Sequence, residues 1–524
     1  MSSSPTNQKP ETEHISNLSS NQELLSIDDI FNEKPTLTLP VIKHYLATRV
    51  TTLIDLPVYH QDKRWYELIN PIPGLREMTL RDWNYYGLGW FGWVLDSLDF
   101  FCVSVALPEI AISLNSSVVD ITWGVTLVLM FRVFGAVAFG LASDRFGRKK
   151  CYIVICILFI FVEVGTGFVQ TYAQFLGARA IFGILMGSML PVSMVTAMES
   201  QPVRARGILS GLFSPAYCFG YIMAVVWYKV FEPTYKEGEG WRSLFWFSGG
   251  LSVILIIWRW FVPESYEFLE MQEKKRKFKE KNKNTGLHKY FNTTIFHTLK
   301  TEWLLFIYLC ITYAAWNSCS HGTQDLYVTM LSNQFGVDID KRTMIVSISN
   351  VGGLIGGAFV GNLSELLGRR LSIIIATILC GAFVYPSFFD ADKNWGAYVV
   401  LIGSVMGSWG VSTGYVLELV NKAHRTLLMG LSYQIGNLLS AGSATIQARI
   451  GELYPVPGAA PGVFDYGKVM CIFCGAIFAL MVVLLLLGPE KFHRNLKMVP
   501  ANLGAVPELE EGLDLDKPEN EKKE

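Results

Sequence analysis

Gly140-Leu-Ala-Ser-Asp-Arg-Phe-Gly-Arg-Lys-Lys150 and Gly361-Asn-Leu-Ser-Glu-Leu-Leu-Gly-Arg-Arg370 are two copies of one pattern, 221 residues apart. Glycine, serine, acid, glycine and base recur at the same offsets. Glycines permit a tight turn and close helix approach. Asp144 or Glu365 can lie near a helix N-terminus or a basic partner. Such a loop can act as a latch that holds one closed state and releases in another. Each copy follows an apolar run, and those two runs are the second and the eighth of a series.

The runs cover about 85–107, 123–141, 151–169, 173–195, 207–231, 241–262, 303–331, 343–361, 371–389, 395–417, 426–450 and 467–488. A helix needs about 20 apolar residues to span the hydrocarbon of a bilayer. Backbone groups in lipid must be satisfied within the segment, so all twelve are expected as helices. Composition agrees: 51% of residues are hydrophobic and 17% charged, against roughly 25% charged in ordinary soluble chains. This excludes a disordered chain, a disulfide scaffold and an ordinary cytosolic enzyme. A net charge of −1 gives no electrostatic support for nucleic-acid binding.

The organisation follows. Residues 1–82 form a polar N-terminal tail with no basic start and apolar core, so no cleaved signal is expected. Its first half reads as disordered, with some order near Trp65 to Leu75. Residues 83–262 carry six spans, 263–302 form a charged central loop, 303–488 carry six more, and 489–524 form an acidic tail. Lys and Arg set the orientation. Nineteen lie in the loops on one side, including nine from Lys274 to Lys300, and four on the other. The rich side, and with it both termini, is expected to be cytoplasmic. The run Lys274–Lys283 either holds anionic lipid or only sets topology. Asn115-Ser-Ser is a glycosylation sequon in a short external loop. Tail lysines offer ubiquitination sites, none singled out locally.

The first copy, with its Gly140, Asp144, Arg145, Gly147 and Arg148, closely resembles the loop motif of the major facilitator superfamily. The second, with Glu365, reads as its degenerate repeat. The resemblance covers about 83–490. It implies an all-α membrane protein of twelve transmembrane helices in two six-helix bundles, related by a pseudo-two-fold axis, with substrate at midplane and alternating access.

Charges at membrane depth cost roughly 2.5–3.5 kcal/mol each at the centre and so mark function. Asp96 and Asp99 in span one are three apart and share a helix face. Two nearby carboxylates in low dielectric do not both ionise easily, which suits a proton carrier. The plain alternative is a helix–helix hydrogen bond. Arg132 in span two lies 12 residues before Asp144, about 18 Å deep. It either binds an anionic substrate or neutralises Asp96 or Asp99. Glu163 in span three is a weaker candidate that pairs structurally with Arg179 or Arg132.

Span seven carries Asn317-Ser-Cys-Ser-His-Gly-Thr-Gln-Asp-Leu-Tyr-Val-Thr329. Asn317, His321 and Asp325 fall at i, i+4 and i+8, one polar stripe on a helix. Histidine titrates near physiological pH, and a carboxylate one turn away favours its charged form. Ser320, Thr323 and Gln324 add hydrogen-bonding groups, and Gly322 lets backbone approach. The segment resembles the signature of the fungal Jen-type carboxylate/proton symporters, in the sialate/proton symporter branch of the superfamily. Asn317, Ser320, His321, Thr323, Gln324, Asp325 and Thr329 all match. The resemblance implies plasma-membrane uptake of lactate, pyruvate, acetate, succinate or malate with a proton. It implies that Asn317, His321 and Asp325 matter for binding and coupling, and that Gln434 and Asn437 in span eleven contact substrate. Phe213 and Ser214 in span five lie where the family sets substrate size, and Pro215 frees a backbone carbonyl there.

The expectation is thus a symporter whose partners are a carboxylate, a proton and the bilayer. Arg132, Asn317, Ser320, His321, Gln324, Asp325, Gln434 and Asn437 bind substrate. Asp96, Asp99, His321 or Asp325 carries the proton. No cofactor, metal or nucleotide is called for. Gly352-Gly-Leu-Ile-Gly-Gly357 reads as helix packing, and Cys471 and Cys474 as packing residues rather than a metal or redox pair. Two rivals remain. A sugar or sialate transporter of the same fold is suggested by Val262-Pro-Glu-Ser265, which resembles the sugar-porter loop. A nutrient sensor that does not transport is the other, though the tails are of ordinary length for a transporter.

Overall fold

The structure, a computed structural model, describes residues 39–54 and 70–490 apart from 71, 199–200, 202–205, 234, 237, 265–272, 274–299, 301, 421–424 and 458–462. Spans one to four are Leu80–Ser113, Val118–Phe146, Arg148–Gly167 and Tyr172–Met198. Span five is Arg206–Phe213 plus Ala216–Phe231, and span six is Trp241–Phe261. Span seven is Trp303–Gln324, continued by Tyr327–Thr329 and a π-turn at Met330–Gln334. Spans eight to ten are Ile339–Leu367, Arg369–Phe389 and Trp395–Leu419. Span eleven is Arg425–Ser440 plus Ser443–Gly451, and span twelve is Tyr466–Leu487. Among the described residues ten segments are long and apolar enough to cross a membrane by length and composition alone. Spans one and eleven are not among the ten. Large apolar side chains such as Phe134, Phe161, Phe261, Phe359 and Ile472 point outward, as a lipid-facing surface requires.

The repeat governs the packing. Span two packs on four as eight packs on ten, three on six as nine on twelve, and one on five as seven on eleven. Adding six to each number maps one half onto the other. The same operation exchanges the two seams between halves, span five on eight and span eleven on two. Glycine makes the two-on-four and eight-on-ten contacts possible. A Cβ on Gly135 would lie 1.6 Å from the Ile184 carbonyl oxygen, and one on Gly356 2.0 Å from that of Gly403. Overpacking a tight core costs about 1–3 kcal/mol, and more when the clash is with backbone. Gly135→Val and Gly356→Val are therefore each expected to cut the yield of monodisperse protein in size-exclusion chromatography. Gly475→Ala, with open space at its Cβ, is expected to behave as wild type. The run Gly352–Gly357 lies within the eight-on-ten contact and the seam with span five.

The repeated loops turn on Gly147 and Gly368, both in the left-handed region at φ 99° and 86°, which costs glycine no strain. The helix starts that follow are capped in the same way. Glu264, after span six, accepts from the backbone N–H of Lys149 at 3.0 Å. Glu490, after span twelve, accepts from that of Arg369 at 2.8 Å. A carboxylate at a helix N-terminus satisfies an orphan donor and opposes the helix dipole. Each caps from a Pro-Glu pair, Pro263-Glu264 and Pro489-Glu490, a second repeat that the sequence reading left unused. Glu365 pairs with Arg369 at 2.8 Å, and Arg369 also reaches Glu418 of span ten at 3.0 Å. That half of the expected latch is thus a charge cluster within the second bundle. Gly140, Asp144 and Arg145 lie in the last turns of span two, Val118–Phe146.

One feature departs from expectation. Residues Leu39–Ile54 form a helix, placed against spans nine and twelve. Tyr45 Oη donates to the Leu487 carbonyl at 2.8 Å, and Arg49 Nη1 to that of Gly488 at 3.1 Å. Those are end-of-helix carbonyls that span twelve itself cannot satisfy. The expected order at Trp65 lies outside the described residues, while Ile72–Arg76 is a helical turn.

Candidate functional site

Three breaks in the helices face the space between the halves. In span five Pro215 has no N–H to donate, so nearby carbonyls need other partners. Span one supplies them. Tyr86 Oη donates to Leu209, Trp90 Nε1 to Leu212 and Trp93 Nε1 to Ser214. Phe213 is buried against this wall. In span seven the helix stops at Gln324, with Asp325 at its end. Tyr398 Oη takes the Thr323 carbonyl and Tyr221 Oη that of Gln324, each at 3.1 Å. Tyr221 belongs to the first half, so the end of the signature segment is held across the seam.

The stripe forms. His321 Nδ1 lies 3.2 Å from Asp325 Oδ2 and 3.3 Å from Oδ1, with both residues buried. Asn317 spends its amide on the Tyr313 carbonyl at 2.9 Å. Ser320 accepts from Trp409 Nε1 at 2.7 Å. Gln324 is buried with neither amide atom hydrogen-bonded among the described residues. A close ring contact crosses the seam here: Phe100 of span one stands 5.4 Å from the His321 ring.

Arg132 of span two is 2% exposed, and its Nε and Nη2 have no hydrogen-bond partner among the described residues. Its guanidinium carbon is 5.8 Å from the centre of the Tyr433 ring in span eleven. An unpaired buried cation is costly unless something pairs with it. Gln434 donates to the Gly187 carbonyl of span four at 3.3 Å, across the seam, and keeps its amide oxygen free. Asn437 donates to Tyr433 at 3.1 Å and likewise keeps its oxygen. Asp96 and Asp99 are both 1% exposed. Among the described residues neither Asp96 oxygen has a hydrogen-bond partner.

The structure therefore brings Arg132, the span-seven stripe, Gln434 and Asn437 to the seam between the halves. Asp96 and Asp99 sit on the first-half side. Glu163 stands apart, with Arg179 Nη1 3.6 Å from its Oε1. The sequence reading missed Tyr217, whose ring centre stands 4.8 Å from that of Phe101 in span one. It also missed Trp409 and Tyr433. Trp93 stacks on Tyr217 at 5.6 Å, and Tyr433 lies edge-on to Trp409. The arrangement can do one thing well: hold a small anion by a guanidinium and neutral amides between aromatic walls, beside carboxylates and an imidazole that accept protons.

Residues 89–445 match the Major Facilitator Superfamily. A carboxylic acid transporter protein homolog of Saccharomyces cerevisiae is 39% identical over 477 residues, 88% of this chain and 76% of its own length. A probable 4-methylmuconolactone transporter of Cupriavidus pinatubonensis is 26% identical, covering 81% of this chain and 92% of its own. Among solved structures, the E. coli xylose transporter in a partially occluded inward-open conformation superposes with a TM-score of 0.60. It covers 77% of this chain and 97% of its own at 16% identity, a likeness of fold alone.

Proposed function

The chain belongs to the major facilitator superfamily and is a multi-pass membrane transporter, not an enzyme, and from that premise we propose that it is a proton-coupled symporter of short mono- or dicarboxylates. It imports acids such as lactate, pyruvate, acetate, succinate or malate across the plasma membrane, with both termini in the cytoplasm. The observations that carry this reading are a buried Arg132 guanidinium in the first half whose Nε and Nη2 have no hydrogen-bond partner among the described residues, and a buried His321–Asp325 couple in the second. The kinship to the yeast carboxylic acid transporter homolog supports the substrate class.

The cycle follows from charge. A monoanion enters from outside and forks onto Arg132. Asn317, Ser320, Gln324, Gln434 and Asn437 supply neutral hydrogen bonds that orient it. A proton taken by Asp96, Asp99, His321 or Asp325 cancels the anion's charge. Moving an uncompensated unit charge against a potential costs about 2.3 kcal/mol per 100 mV. An anion entering a negative interior pays that cost, and a co-transported proton removes it. The halves then rock about the seams of span five on eight and eleven on two. Domain limits of 83–262 and 303–488 for the moving bodies, and ubiquitin control through tail lysines, belong to the same reading.

The test is paired uptake of labelled lactate and labelled succinate in yeast lacking endogenous carboxylate carriers, at mildly acidic external pH. The expected result is uptake of at least one acid with external alkalinisation. Absence of both, with the protein at the plasma membrane, would sink the carboxylate reading. Sugar and sialate uptake would then be measured.

A further inference from the structure

A second charged cluster lies inside the first half, off the path between the bundles. Glu163 of span three and Arg179 of span four are both 0% exposed. Arg179 Nη1 stands 3.6 Å from Glu163 Oε1, and its Nη2 is 3.5 Å from the Asp99 carbonyl oxygen. Among the described residues neither Glu163 oxygen has a hydrogen-bond partner, nor does Asp99 Oδ1, Arg179 Nε or Arg179 Nη1. A structural arginine–carboxylate pair closes to about 2.7–2.9 Å, commonly with two bonds. The second half has such a pair in Arg369–Glu365 at 2.8 Å. The Glu163 pair is loose by comparison, although both side chains are buried.

The surroundings supply no missing charge. Span one contributes Asp96, Asp99 and the thiol of Cys102, and span two contributes Arg132. Span three adds Tyr152 and Cys156. Span six packs Gly249 beside Glu163, with the Ser248 hydroxyl buried next to it in sequence. The arginines of span six are engaged elsewhere: Arg242 on the Gly167 and Val169 carbonyls, Arg259 on Val262, Pro263 and Glu264. Asp99 and Glu163 thus flank the single guanidinium of Arg179. Two carboxylates against one guanidinium leave one negative charge uncompensated in a buried site, which is strongly unfavourable. One proton balances it.

We propose that Glu163 holds the coupled proton while the carrier reorients, with Arg179 as the switch it shares with Asp99. When Glu163 takes the proton, its hold on Arg179 ends and the guanidinium turns to the Asp99 carboxylate. When the proton leaves to the cytoplasm, Arg179 returns to Glu163. The proton is thus stored away from the substrate, and Asp99 links the store to span one. This rests on the symport reading and gives it a second site.

The test uses the full-length protein in liposomes with labelled lactate, or succinate if that is the transported acid. Two modes are compared: accumulation driven by an imposed pH gradient, and exchange against internal unlabelled acid without a gradient. For Glu163→Gln the expected result is an accumulation ratio lower by about tenfold, with exchange still running, because binding and reorientation are separable from coupling. Wild-type accumulation in Glu163→Gln overturns the inference. So does an equal loss of both modes, the mark of a merely structural residue. Should Glu163→Gln fail to reach a folded state, Glu163→Asp decides. A displaced pH midpoint of accumulation supports the role, and an unchanged profile overturns it. If wild type accumulates neither acid under a pH gradient, the symport reading falls and this inference with it.

Discussion

Replacing Arg132 by alanine is expected to lower carboxylate uptake by about a hundredfold or more, since stripping a buried charge of its partner costs about 3–5 kcal/mol and each 1.4 kcal/mol is tenfold. The partner in this case is the substrate. Arg132→Lys is expected to fail nearly as badly, because an ammonium cannot fork onto a carboxylate as a guanidinium does. The backbone there is fixed: a Cβ on Gly187 would lie 2.0 Å from the Arg132 carbonyl oxygen, so span four holds that turn of span two in place. The competing role, neutralising Asp96, has a distinct signature. If Arg132 serves Asp96, then Asp96→Asn restores uptake to Arg132→Ala, because removing both partners removes the unpaired charge. If Arg132 serves the substrate, the double variant stays inactive. Uptake of labelled acid by the two single variants and the double, normalised to surface protein, separates the roles. An inactive double variant is the expected result.

The spans themselves were legible because lipid permits little else. Twenty apolar residues leave a helix as the available answer, and each expected run lies within a few residues of the observed helix. The repeat was legible because Gly147 and Gly368 adopt a backbone conformation that other residues avoid. The break in span five was visible as Pro215. The break after Gln324 was not, since an apolar count carries no information on where the hydrogen-bond ladder shifts from α to π. Polar site residues announced themselves by their cost at depth. Tyr217, Trp409 and Tyr433 did not, because aromatic residues make up 13% of this chain and face lipid, core and seam alike. Only the fold distinguishes them. The Glu264 and Glu490 caps were readable in principle, as Pro-Glu after spans six and twelve. Their partners, the first N–H groups of spans three and nine, lie more than a hundred residues away in sequence. The helix Leu39–Ile54 is held by Tyr45 and Arg49 on carbonyls at the end of span twelve and by Thr52, which accepts from Arg370 of span nine, contacts that local sequence does not encode.

His321→Ala and Asp325→Asn are each expected to reduce accumulation of the substrate acid by about a hundredfold, and the double variant to be no worse than either, as groups that act as one unit are not additive. The geometry is the reason. His321 Nδ1 lies within 3.3 Å of both Asp325 oxygens, so the two side chains act through one shared contact. Removing either leaves a lone buried charge or a lone neutral ring, and the second removal has nothing further to take. Fully additive losses in a double-variant cycle would show two independent roles and overturn the couple. The position of Asp325 gives the couple its reach. It ends the regular part of span seven, where Tyr221 of the opposite half holds the Gln324 carbonyl. A proton or an anion arriving at His321–Asp325 changes charge one residue from that tie. Tyr221→Phe, which removes the hydroxyl and keeps the ring stacked on Phe101, should therefore leave binding of the acid nearly intact while slowing its translocation. A fall in binding with translocation unchanged would place Tyr221 in the substrate site and not in the hinge between the halves.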